Sequence, residues 1–414
     1  MIVAMLVATG FSYQRPAHFV IVLLIIGLFR FEAEAGGTLS LSALWLLGVD
    51  FLILMALMRL PGSVMPLSLP EKLYIVFLVW AALTAVQAPD LTYSVRTFAK
   101  IASPLLAMVL GRKAVLSGGM PDIRASMKWV VGTSFVAFLL VGGFTQRFVP
   151  VVFNSAEKTL WGGAAFADHL AIMAVVALAA WRILGGGLYF SYAVMAALSS
   201  VVAGVRTGVG ATVIGVIVVI LLTYRKVTSI PLLCGIALLG VASLLFVPSL
   251  KVKMFHNAGA VDSVDVLRNP TGVLLDNVNN SGRGSTWTMA LTDLWDPSRL
   301  SGSGLGAVQE FMYTQKITDI NIVHSGYVEL LCDTGLIGLG LYLLTVGCCL
   351  REGWRVYRYN GSHVSRMLAL CALGGFPALL FCMGFDNVFS FALVAGNYPF
   401  VFTGMAVGLA QSRP

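Results

Sequence analysis

Three residues stand out as able to do chemistry. His324 is one of only five histidines in 414 residues and opens an apolar run, "HSGYVELLCDTGLIGLGLY". Arg206 lies in "GVRTGVGA" and Arg283 in "SGRGS". Small and glycine residues beside each arginine keep space open around a guanidinium. Arginine stays charged when partly desolvated and meets phosphate oxygens with a planar fork of donors. An imidazole, with an ordinary pKa of about 6.5, accepts a proton at neutral pH. Two arginines and a histidine on one side of a membrane therefore point to an anionic ligand and a general base.

Other polar residues in apolar surroundings need a partner or a role, because ionisable groups at membrane depth are costly. Arg96 and Lys100 are one turn apart on a common helical face. Together with Arg147 they are expected to attract an anionic lipid headgroup. Asp168 and His169 lie deeper within a span. Asp168 is expected to pair with a neighbouring base such as Lys100, and His169 to be an interior hydrogen-bonding residue. Asp50 reads as a packing or pairing group. Glu329 and Asp333, four residues apart, read as anchors of their helix to other spans. No two aspartates are spaced as Asp-x-Asp, and no CxxC pair indicates a metal site.

These residues must be positioned by membrane helices. The chain is 58% hydrophobic and 11% charged, where an average soluble domain carries roughly 25% charged residues. The apolar runs are long and continuous, which excludes a barrel. The pattern predicts an all-α integral membrane protein of about twelve spans, at 17–30, 39–58, 72–88, 94–111, 126–143, 161–181, 188–204, 207–223, 230–247, 325–350, 367–385 and 389–410. The opening stretch "MIVAMLVATGFSY" reads as a re-entrant piece or an extension of the first span. The six cysteines sit in apolar runs and are expected to form no structural disulfide. The +8 net charge is not a sign of nucleic-acid binding, because in a membrane protein the distribution of Lys and Arg carries the information. Placing both termini in the cytoplasm puts 15 Lys and Arg on that side.

The chain thus divides into spans one to nine (1–247), one large outer loop (248–323) and spans ten to twelve (324–414). Within the loop, "STWTMALTDLWDPS" carries Trp287, Ala290, Leu291, Leu294 and Trp295 at helical spacing, so a short amphipathic helix is expected over 285–298. Ser285 would cap its start and Pro297 stop it. The following "SGSGLGAV" lacks the strand and the Lys-Ser or Lys-Thr of a nucleotide loop, and reads as a flexible connection.

The order of these stretches resembles the O-antigen ligase and polymerase superfamily of bacterial envelope glycosyltransferases. "GVRTGVGA" is similar to the family's arginine motif, although Val205 stands where serine is usual. "SGRGSTWTMALTDLWDPSRLSGSGLGA" and "HSGYVELLCDTGLIGLGLY" resemble its second arginine segment and its histidine span. The resemblance implies a GT-C-like fold in the bacterial inner membrane, with a periplasmic active site in which His324 is general base and Arg206 and Arg283 hold pyrophosphate. It implies a metal-independent, inverting transfer of a glycan from undecaprenyl pyrophosphate to a sugar hydroxyl, with no cofactor. The acceptor would be lipid A–core for a ligase, or a second lipid-linked glycan for a repeat-unit polymerase. A secondary transporter is the reading outside this family, and it would want paired broken spans in two related halves.

Overall fold

The computed structural model describes residues 2–27, 41–61, 65–137, 164–203, 205–224, 231, 235, 283–315, 323–359 and 362–412. Among these residues the chain is all-helical. The first half contributes α1 (Ile2–Gln14), α2 (Phe19–Ile26), α3 (Leu41–Arg59), α4 (Leu69–Thr84), α5 (Leu91–Leu116), α6 (Ile123–Ala137), α7 (Ala164–Leu184), α8 (Gly187–Ala203) and α9 (Arg206–Thr223). The second half contributes α10 (Arg283–Ala290), α11 (Ala307–Gln315), α12 (Gly326–Tyr359), α13 (His363–Phe385) and α14 (Tyr398–Gln411).

Six of the described helical stretches are long and apolar enough to cross a membrane: Leu69–Gln87, Ala165–Leu184, Arg206–Thr223, Gly326–Tyr359, His363–Phe385 and Ala392–Gln411. Each falls on a predicted span. Helices α3, α5, α6 and α8 lie on four more of the predicted spans. The predicted span at 230–247 lies largely outside the described residues. The opening stretch forms a helix of its own, α1, which packs on α2 and α3.

Local sequence explains several helix starts. Ser68 and Glu71 form a capping box that opens α4. Asp90 accepts the Thr92 N–H at 2.6 Å to open α5. Helix α14 fills the centre of the bundle and packs along α5. Gly404 and Gly408 abut the Met108 and Arg112 carbonyls, so the two backbones approach closely. Where α5 ends, the buried Arg112 pairs with Glu71 at 2.6 Å.

Helix α12 is not continuous. Gly335 has φ +69°, a left-handed conformation that breaks the helix and frees the N–H groups beyond it. The segment before α11 fills that break: Leu336 N–H donates to the Arg299 carbonyl at 2.9 Å and Ile337 N–H to that of Leu300 at 3.3 Å. Asp333 completes the joint by accepting the backbone N–H groups of Gly306 and Val308 at 2.8 and 2.9 Å. Asp333 was expected to anchor α12 to other spans. It anchors the glycine segment instead, since its carboxylate sits at the free N-terminal end of α11. The glycine segment is therefore a docked turn rather than a flexible connection, with positive φ at Gly302, Gly304 and Gly306.

Candidate functional site

His324 precedes α12 with φ +48°, an unusual value for a residue with a side chain. Its neighbours hold it there. Ser325 caps α12, with its oxygen accepting from Val328 N–H at 3.4 Å and its hydroxyl donating to the Met383 carbonyl at 3.3 Å. On the other side the Trp287 indole donates to the Val323 carbonyl at 2.7 Å. The Trp-bearing helix of the loop thus braces the residue next to the histidine. That helix was predicted over 285–298; helical geometry runs from Arg283 through a wider turn at Leu291–Trp295 to Ser298.

The hub of the site is the end of α13. Nδ1 of His324 lies 3.3 Å from Oδ1 of Asp386, which is buried, while 33% of the histidine side chain is exposed. A proton on Nδ1 facing that carboxylate leaves Nε2 as the free acceptor. Arg283 donates from Nη1 to the carbonyl of Phe385 at 2.6 Å. Thr207, next to Arg206, donates to Oδ2 of Asp386 at 3.0 Å. Arg206 and Arg283 are close enough for their charges to interact. Residues 385–386 thus hold His324 and Arg283 directly, and Arg206 stands beside them through its neighbour Thr207 and within charge range of Arg283.

Two glycines of "GVRTGVGA" lie at helix contacts. Gly208 packs on Ala167 of α7, and Gly210 packs under the Phe381 ring of α13. They let α9 approach both neighbours, and this places Thr207 against Asp386.

Other predicted residues form a second layer. Lys100 is buried and donates to the Ser390 hydroxyl at 3.1 Å. Glu329 is buried between the charges of Lys100 and Arg96, and a hydrogen bond ties it to Asn387, the residue after Asp386. Lys100 therefore faces inward rather than towards the outer surface. Asp168 was expected to pair with a base such as Lys100. Its neighbours are instead Asp386 and Cys382, whose thiol is the hydrogen-bonding group beside its carboxylate. Two carboxylates there would repel if both were charged. His169 is an interior hydrogen-bonding residue, held by Val394, Ser134 and Tyr398. Asp50 accepts from Ser103 at 2.7 Å. Arg147 lies outside the described residues. Among the described residues no three His, Cys, Asp or Glu side chains gather as a metal ligand set would.

Asp386 and Thr207 were not singled out from sequence. Asp386 carried a signal nonetheless: it is a lone carboxylate at the end of an apolar span, the same argument that drew attention to Asp168.

The described residues thus define a class, an all-helical membrane protein with a histidine–aspartate pair and two arginines near the end of α13. A family model described as O-Antigen ligase matches residues 190–343. That range contains Arg206, Arg283 and His324, and it bears out the resemblance to the O-antigen ligase and polymerase superfamily. A match of that kind points to a glycosyltransferase-type membrane enzyme, ligase or polymerase, with lipid-linked glycans as substrates. Asp386 lies beyond the matched range. No curated protein matches the chain.

Proposed function

We propose that the protein is an O-antigen ligase-type glycosyltransferase of the bacterial inner membrane, working on the periplasmic face without a metal ion. Its donor is a glycan on undecaprenyl pyrophosphate and its acceptor a sugar hydroxyl of lipid A–core. The observation that carries this reading is that residues 385–386 hold His324 and Arg283, with Arg206 beside them next to Thr207 and within charge range of Arg283.

The chemistry follows from that arrangement. The acceptor oxygen attacks the anomeric carbon of the donor while its proton passes to Nε2 of His324. The bond from the anomeric carbon to the phosphate oxygen breaks, and undecaprenyl pyrophosphate leaves. Direct displacement inverts the anomeric centre. Arg206 and Arg283 meet the charge that develops on the leaving oxygen, an effect worth about 3–4 kcal/mol per donor group in other acyl- and group-transfer sites. Asp386 steadies the imidazolium that forms. Arg96 and Lys100 reinforce the positive field from the second layer around Glu329, and the charge of Arg147 helps to attract the anionic lipid donor.

The test is transfer by purified protein in proteoliposomes, from a synthetic undecaprenyl-pyrophosphate glycan to defined acceptors, without nucleotide or divalent metal. Product on lipid A–core supports the ligase reading. Product only on a second lipid-linked glycan replaces it with a polymerase. No product with either acceptor, under conditions where the protein is folded, overturns both.

A further inference from the structure

Thr207 sits in the first turn of α9 and is buried, as is its partner Asp386. Other threonines in the bundle spend their hydroxyls locally. Thr212, Thr334, Thr345 and Thr403 each donate to the carbonyl four residues back in their own helix. Thr207 instead reaches across to α13 and donates to Oδ2 of Asp386 at 3.0 Å. The carboxylate is divided between two neighbours, with Oδ1 on His324 and Oδ2 on Thr207. Its backbone is also pinned: Asp386 N–H donates to the Cys382 carbonyl at 2.7 Å, and its own carbonyl accepts from Gly326 N–H at 3.0 Å.

We infer that Thr207 is a positioning residue, whose hydroxyl fixes the rotamer of Asp386 and sustains its negative charge so that His324 presents Nε2 to the acceptor. The inference rests on the assignment of His324 as general base. It gives the arginine motif a second purpose: the residue after Arg206 supports the base, while Arg206 itself meets the anion. The seat of Gly208 on Ala167 sets the height of the hydroxyl.

The physical consequence has a sign. Deleting the hydroxyl removes support from the Asp386 anion. That support matters most when His324 is neutral, because a protonated imidazole itself neutralises the carboxylate. The proton-free pair is therefore disfavoured, and the acid limb of the rate profile moves to higher pH. The titratable and charged groups around the pair are Arg206 and Arg283 on the open side, and Asp168 and Cys382 on the buried side. They are unchanged in the variants used.

The experiment compares wild type with Thr207→Val, Thr207→Ser and His324→Ala. Purified proteins in proteoliposomes are supplied with lipid-linked glycan and acceptor extracted from a deletion strain, and transfer is followed across pH. Thr207→Val keeps the shape and loses the donor. A roughly tenfold lower rate near neutral pH is expected, with the acid limb raised by about one pH unit, the scale of one hydrogen bond to a charged group. Thr207→Ser should restore both. If Thr207→Val keeps the wild-type profile, or Thr207→Ser is as impaired as Thr207→Val, the positioning role is wrong. If His324→Ala transfers normally, the base assignment falls first, whatever Thr207 does.

Discussion

Replacing Asp333 with alanine should loosen the outer loop from α12 without unfolding the bundle. The Asp333 side chain accepts two backbone N–H groups, from Gly306 at 2.8 Å and Val308 at 2.9 Å, and all the atoms involved are buried. Leaving a buried N–H without an acceptor costs about 1–3 kcal/mol, so losing both acceptors costs the docked state about 2–6 kcal/mol. The joint keeps other contacts, such as Ser303 N–H to the Cys332 carbonyl at 2.8 Å and Leu336 N–H to that of Arg299 at 2.9 Å. The turn therefore opens more often rather than leaving altogether. Hydrogen–deuterium exchange of peptides covering 302–310, with the protein in nanodiscs, reads this directly. Protection there should fall roughly 30- to 20,000-fold, at about 1.4 kcal/mol per factor of ten. Asp333→Asn keeps one acceptor and turns an N–H₂ towards the other N–H, so it should recover at most half of the loss. Unchanged protection over 302–310 in Asp333→Ala, with exchange raised only in 326–334, would refute the account of Asp333 as the weld between loop and helix.

The remaining expectations concern the site. His324→Ala should lower glycan transfer by about 100- to 10,000-fold, the usual range for a lost general base, while thermal stability in detergent stays near wild type. Arg206→Ala and Arg283→Ala should come close to that loss, with lysine replacements recovering part of it because the charge returns without the fork; initial rates at varied donor concentration check this. Lys100→Met should destabilise the fold by up to about 3–5 kcal/mol, the cost of a broken buried pair, read as a lower midpoint of thermal unfolding, and leave the donor KM of the residual activity unchanged. A raised donor KM at wild-type stability would instead make Lys100 a substrate ligand. Chelation with EDTA should leave transfer unaffected.

The legibility of the chain was uneven for physical reasons. Arg206, Arg283 and His324 could be found because charged and titratable side chains are rare in so apolar a sequence, and each marks a position where burial must be compensated. The helix at 283–298 showed through the spacing of Trp287, Leu291, Leu294 and Trp295. The partners of these residues did not show. Thr207 and Asp386 are 179 positions apart, and no pattern in the sequence pairs them. Asp168 was matched to Lys100 on charge alone, whereas packing of α7 against α9 and α13 sets it beside Asp386. The break at Gly335 did not show, because a glycine that breaks a helix and one that lets a neighbour approach look alike until φ is known.

The break at Gly335 also bears on how the chain is made. Leu336 and Ile337 are both exposed on the helix surface, and without Arg299 and Leu300 their N–H groups would lose the acceptors they have in the protein. Those acceptors are translated some three dozen residues earlier, so they are already past the ribosome when the span emerges. Insertion of this span is then a joining step, finished by a segment waiting at the membrane surface. A protease nick between the two would leave the pieces clasped, and the same segments expressed as separate polypeptides should find each other and complete the helix.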